Sequence, residues 1–223
     1  MVTIGIDFSL NSPSVCINTG EKLKFISFFN TDGDEWNRKE KPLKKYKRHN
    51  ELNDIIEVVP YTRNTLEPVE GYSDYSNEQI QKMKDAQLIS NTILEKLAKY
   101  CWEDTHIAIE GFAYGSKGMS FIDLILFNSF LRKDLARVFG FSNIIVISPK
   151  EAKKFAGNGN ADKFFMIDAF VKNKANDELL ASNPMHQYIA NISELESNPK
   201  PIDDLVDSYW IMKTAKEKYL KQE

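Results

Sequence analysis

Histidine and cysteine are scarce in this 223-residue chain, and their scarcity narrows its chemistry. His49, His106 and His186 are scattered, so none is assigned as a ligand. The two cysteines, Cys16 and Cys101, lack zinc-type spacing. A disulfide-stapled scaffold is thereby excluded, and both thiols are expected to stay reduced in a cytosolic setting. No apolar run approaches the length of a transmembrane helix, so none is expected. The first residues read as a strand carrying an acid, not as a basic region followed by an apolar run, so no signal peptide is expected. Internal repeats and low-complexity tracts are absent. Hydrophobic residues make up 42% and charged residues 27%, an ordinary globular composition that excludes disorder. The length suits one domain over 1–223, with ample chain for a core.

An overall basic charge is also lacking, since the net charge is −3. The charge is uneven, however. Arg38-Lys39-Glu40-Lys41-Pro42-Leu43-Lys44-Lys45-Tyr46-Lys47-Arg48 holds seven bases and one acid, a local balance of +6 that leaves −9 for the remainder. Such a segment, read as a basic insertion near 36–50 with Lys44 and Lys45 at its centre, can bind phosphate within an acidic protein. Its bland reading is a solvated loop.

What is present is a strand–helix alternation. Ile4-Gly5-Ile6-Asp7 has period-two β-branched residues and reads as a strand. Val15–Asn18 and Leu23–Phe29 read as two more, forming an antiparallel meander with the first. Ile55–Val59 fits a further strand or a helix end. Ser76 and Gln79 form a capping-box pattern ahead of a helical stripe from Ile80 to Cys101. Ile107-Ala108-Ile109 is a short strand ending in Glu110. Ser120–Phe139 reads as a second long helix, with Ser120 and Asp123 as cap pair and Gly140 as terminator. Its apolar side is wide enough to cover a sheet and also meet a partner subunit. Ile144–Ile147 is a buried-type strand, followed by Ser148-Pro149-Lys150-Glu151 as a helix start. Ala161–Val171 reads as a helix, 174–200 as a polar insertion, and Pro201–Lys218 as the last helix. The sum is an α/β fold with a mixed five-stranded sheet and helices on both faces.

Three of these apolar elements carry acids. Asp7 and Glu110 end strands, and Asp203, Asp204 and Asp207 cluster on the last helix. Asp204 and Asp207 share a helix face, as do Asp203 and Asp207. Buried carboxylates are costly unless compensated, and close like charges raise one another's pKa. Hard oxygen donors without histidine or cysteine suit Mg²⁺ or Mn²⁺. Two such ions fit an in-line phosphoryl displacement. Each acid alone also has a structural reading: Asp7 as a turn cap, Glu110 as a strand end, Asp203 and Asp204 as first-turn acids favoured by the helix dipole. Asp207, further in among apolar neighbours, is the hardest to explain that way.

Together these residues resemble the RuvC-type Holliday junction resolvases of the ribonuclease-H-like superfamily. Ile4-Gly5-Ile6-Asp7 resembles the family's first strand and first catalytic Asp. Ala108-Ile109-Glu110 with Phe112 resembles its second strand, catalytic Glu and junction-loop aromatic. Ala156-Gly157-Asn158-Gly159-Asn160-Ala161-Asp162-Lys163 resembles its glycine turn and DNA-contacting lysine, and Asp204-Leu205-Val206-Asp207 its paired helix acids. The two insertions resemble phage and viral members.

The resemblance implies a cytoplasmic homodimer, in a bacterial or virus-infected cell, that nicks opposing strands of a four-way DNA junction and leaves 5′-phosphate ends. It implies two Mg²⁺ or Mn²⁺ ions on Asp7, Glu110, Asp204 and Asp207, with Asp203 as a substitute ligand. DNA contacts are expected from Phe112, Tyr114, Lys117, Lys150, Lys153, Lys154, Asn158 and Lys163, together with Lys44 and Lys45. The rivals are a broader branched-DNA or flap endonuclease, a non-catalytic junction-binding protein, and an actin-like kinase. Ser9-Leu10-Asn11-Ser12 lacks the Gly-Thr phosphate turn of the last.

Overall fold

The computed structural model describes residues 1–31, 48–112, 118–192 and 199–221. β1 (Val2–Asp7), β2 (Ser14–Asn18) and β3 (Leu23–Asn30) form the expected antiparallel meander. β5 (Thr105–Glu110) lies parallel to β1, and β6 (Ile144–Ile147) parallel to β5. β4 (Glu57–Tyr61) adds a sixth strand parallel to β3, giving the order β4-β3-β2-β1-β5-β6. The expected count of five is therefore too low. Pro60 argues against a central strand, but β4 lies at the edge, where a missing N–H is tolerated. The expected mixed sheet with helices on both faces is present, with one strand added outside the meander.

Alternation along the strands assigns the two faces. Ile4, Ile6, Val15, Ile17, Ile107 and Ile109 point into one core with α1 (Asp74–Leu97) and α2 (Met119–Phe139), which supply Ile89, Ile93, Leu131 and Leu135. Cys16 and Phe25 point the other way. They enter a second core with α7 (Ile202–Lys218), which supplies Leu205, Tyr209 and Met212. That side also holds α3 (Pro149–Phe155), α4 (Lys163–Lys172), α5 (Glu178–Ala181) and α6 (Pro184–Ala190). Each fully buried aliphatic or aromatic side chain contributes roughly 1.5–3 kcal/mol.

The region expected as a polar insertion near 174–200 is, over 174–192, largely helical. It sends Leu180, Met185 and Ile189 into the α7 core. Its polar residues mask sparse apolar anchors. Asp177 adds a part-buried tie, accepting from Tyr209 Oη and Lys213 Nζ at 2.8 Å each. Covered on both sides, α7 is buried nearly all round, as an interior helix should be.

Helix starts differ from the sequence reading at two places. α1 is capped by Ser73, whose Oγ accepts from Ser76 N at 3.2 Å, so the helix starts ahead of the Ser76–Gln79 pair. α2 starts at Met119 after Gly118, with no side-chain cap, and Asp123 instead pairs with Lys82 at 3.0 Å across to α1. Gly140 does end α2, at φ 84°, in the left-handed region that glycine favours. Ser148 caps α3 as expected, with Pro149 in its first turn. Cys16 and Cys101 are both free. No described helix is long and apolar enough to cross a membrane.

Candidate active site

The site follows from strand parity and one glycine. On β1, Ile4 and Ile6 face α1 and α2, so Gly5 and Asp7 face α7. On β5, Ile107 and Ile109 face the same helices, so Ala108 and Glu110 also face α7. The β1–β5 register pairs Ile6 with Ile109, which sets Asp7 and Glu110 side by side one step further along. A Cβ on Gly5 would stand 2.2 Å from Ser208 O and 2.5 Å from Met212 N. Only glycine lets the α7 backbone settle this closely on β1, and that seating carries the helix's first turns over the ends of both strands.

Four acids from three elements thus converge. The charges of Asp204, Glu110 and Asp207 all act on Asp7. Burial raises the Asp7 carboxyl well above its ordinary range, and those three neighbours raise it further. Glu110 is raised to about 7, chiefly by burial and also by Asp204, while Lys153 opposes. Asp207 is raised to about 8 by burial, then by Glu110, Asp204 and Asp203. The cluster holds more negative charge than its surroundings neutralise.

The helix acids divide. Asp204, 5% exposed, accepts from Ser12 Oγ at 2.9 Å and from Lys200 Nζ at 2.6 Å through both of its oxygens. Asp203, 4% exposed, turns to Lys163, whose Nζ lies 2.8 Å from Oδ2, and its buried Oδ1 has no partner. The charge of Asp204 acts on Asp7, Glu110 and Asp207, and that of Asp203 on Asp204 and Asp207.

The donor set, four carboxylates with raised pKa values, matches a hard divalent cation in chemistry. Among the described residues, no three acids, histidines or cysteines stand close enough to chelate an ion as they are. Lys200 meanwhile occupies both oxygens of Asp204.

The expected DNA-contacting residues fall into groups. Lys153 is half-buried and acts on both Glu110 and Asp207, so it borders the cluster. Lys154 is exposed. The side chain and carbonyl of Lys150 pack by Gly159 in the glycine turn, where Gly157 has φ +125°. Asn158 is exposed and its Oδ1 accepts from Asn160 N at 3.0 Å. Lys163, expected to be a DNA contact, is committed to Asp203, although its side chain remains half exposed. Phe112, expected to stack on bases, packs edge-on against Phe121 with centroids 6.0 Å apart, under the Arg132 guanidinium at 4.7 Å. Packing against Phe121 is the alternative to base stacking for an aromatic on this loop, and α2 supplies both partners. Lys44, Lys45, Tyr114 and Lys117 lie outside the described residues.

Four site residues are absent from the sequence reading. Ser12 and Lys200 hold Asp204. Arg132 donates from Nη2 to the Glu110 carbonyl at 2.7 Å. Arg63 donates to the Leu10 carbonyl in the turn after Asp7. Only Lys200 left a local signal, a base four residues ahead of an acid. The others act across more than 20 residues of chain.

No family model and no curated protein matches the chain. Among solved structures it is similar to that of Thermus thermophilus RuvC, at 12% sequence identity and a TM-score of 0.45. The likeness covers 96% of this chain and 95% of that one.

Proposed function

We propose that the protein is a divalent-metal-dependent endonuclease that cuts branched DNA, with the four-way junction as its main substrate. The observation that carries this reading is the meeting of Asp7, Glu110, Asp204 and Asp207 from two adjacent strand ends and one helix. Mg²⁺ or Mn²⁺ held there would supply Lewis-acid activation of water and neutralise charge building on the scissile phosphate. The chain's own groups do the rest. Ser12 and Lys200 orient Asp204, and Arg132 fixes the backbone at Glu110. Lys153 offers positive charge at the rim, where a phosphate would enter. Lys150, Lys154 and Asn158 extend that rim into a salt-sensitive grip on the DNA arms. Paired nicks call for two sites, which a homodimer provides. Exposed Met119, Ile122 and Ile125 on α2 support such an assembly.

The pairing of Lys200 with Asp204 also favours a second reading, a junction-binding protein without catalysis, because it satisfies an acid without a metal. Labelled four-way, three-way, flap and linear DNAs, incubated with and without Mg²⁺, separate the two. Magnesium-dependent cutting of branched forms, lost in Asp7→Asn while junction binding survives, is the expected result. Binding without cutting by the unaltered chain would leave only the second reading. Cutting by Asp7→Asn at the normal rate would remove the catalytic assignment.

A further inference from the structure

Phe155, Phe164 and Phe165 surround the glycine turn of 157–160, and none of them belongs to a core cluster. Phe155 ends α3 just before the turn, and Phe164 and Phe165 open α4 just after it. They are 38%, 44% and 38% exposed, whereas Phe170 on the same helix is fully buried. Phe112, the aromatic expected to meet bases, is instead engaged with Phe121 and Arg132.

The turn presents these rings on a stiff base. Gly157 N donates to Lys154 O at 3.0 Å, Asn158 N to Lys153 O at 3.1 Å and Ala161 N to Asn158 O at 2.9 Å. The Phe165 ring lies against the bare backbone of Gly157, where a Cβ would stand 3.6 Å from its Cζ. The Lys150 stem flanks Gly159, with its Cγ 3.5 Å from the corresponding point.

The charge around the rings is positive. Residues 148–165 hold Lys150, Lys153, Lys154 and Lys163 against Glu151 and Asp162. Both acids are engaged, Glu151 with Lys218 and Tyr219 Oη, and Asp162 as the cap of α4 through Phe165 N. Asp168, one turn along α4, is paired with Lys172 at 2.6 Å. Lys150 and Lys154 are exposed. Lys153 acts on Glu110 and Asp207, and Lys163 pairs with Asp203 at 2.8 Å, so the turn adjoins the acid cluster. Exposed rings interleaved with lysines suit a single nucleic-acid strand, whose bases offer π-faces and whose phosphates offer charge. A duplex can use only the lysines, because its bases are already stacked on one another.

We propose that Phe155, Phe164 and Phe165, with Lys150 and Lys154, form a stacking platform for unpaired nucleotides of a DNA strand beside the acid cluster. The proposal rests on the DNA-binding reading above and deepens it. The lysines hold duplex arms and single strands alike, and the rings add a preference for DNA opened at a branch. Every base has a π-face, so this preference carries no sequence requirement.

The test measures binding of the full chain, in chelator, to oligothymidylate and to a duplex of equal length by fluorescence anisotropy. A 2-aminopurine in the single strand reports stacking through quenching. Phe165→Leu is expected to weaken single-strand binding about fivefold or more and to reduce the quenching, with duplex binding unchanged. The variant with all three rings changed to Leu is expected to lose more. Phe165→Trp is expected to keep single-strand binding, and Lys154→Gln to weaken both DNAs alike. Single variants that melt like the parent suffice for the comparison. Equal losses on both DNAs in the Leu variants, or no loss on either, overturn the platform and leave the DNA-binding reading standing. No loss on DNA together with a smaller mass by sedimentation assigns the rings to contact with a second copy, which also overturns it. Absence of binding to single-stranded, duplex and four-way DNA by the unaltered chain overturns the DNA-binding reading and the platform with it.

Discussion

Gly5 and Ser208 are in backbone contact: a Cβ at position 5 would stand 2.2 Å from the Ser208 carbonyl oxygen. The neighbouring obstruction, Met212 N, is also main chain and cannot swing aside. The glycine of Ile4-Gly5-Ile6-Asp7 therefore sets how deeply α7 sits, and with it the distance between the strand acids and the helix acids.

Gly5→Ala is accordingly expected to cost about 1–3 kcal/mol or more through overpacking. Because α7 must lift from β1, divalent-ion binding should fall in the fraction that still folds. Gly20→Ala is the comparison: it meets no atom within 4 Å and bears only the strain of φ +88°. A thermal melt that places Gly5→Ala no lower than Gly20→Ala would contradict this account.

The raised carboxyls make stability depend on pH in a defined direction. Glu110 and Asp207 titrate near 7 and 8 in the folded chain, and well below that when unfolded. Between roughly pH 4.5 and 8 the folded state therefore binds more protons than the unfolded one, so stability falls as pH rises through this window. In chelator-treated protein, the melting temperature should drop from pH 5.5 to pH 8. Mg²⁺ should raise it more at pH 8 than at pH 5.5. Asp207→Asn should melt higher than the parent at pH 8 without metal.

Lys163 is expected to be a stabilising residue as well as a candidate DNA contact. Removing one partner of a buried ion pair strands the other charge. The half-exposed lysine is screened by water, so Lys163→Met should cost about 1–2 kcal/mol rather than the full buried-pair amount. Adding Asp203→Asn to that variant should recover much of the loss. A urea-unfolding cycle of the four proteins measures the coupling, and additive losses would show that the pair contributes nothing.

The α1–α2 interface holds a buried polar tie away from the site. Asp134, 2% exposed, accepts from Ser90 Oγ and Gln87 Nε2 at 2.9 Å each. Burial raises its carboxyl, but these bonds, with Lys133 and Arg137 nearby, hold it below the ordinary range. Ser90→Ala should cost about 1–2 kcal/mol of stability by urea unfolding. Metal binding by the folded protein should stay unchanged, which separates this tie from the site.

Much of this molecule was legible in the residues themselves. Period-two runs in β1 and β5, the continuous apolar run of β6 and the helical stripes of α1 and α2 are local signals, since alternation and 3.6-residue spacing report which side of an element meets the core. The acids of the site stood out because carboxylates among apolar neighbours are costly, and their order along the chain pointed to one shared centre. Tertiary structure decided what local pattern cannot encode. Pro60 belongs to a strand because that strand has only one neighbour. The polar stretch 174–192 covers α7 because a few apolar anchors suffice once a groove exists. Asp203 and Asp204, adjacent and chemically alike, part ways because helix geometry turns one to Lys163 and the other to Lys200 and Ser12. Side-chain partnerships of this kind depend on distances in space, and those exist only after the sheet and α7 have closed on each other.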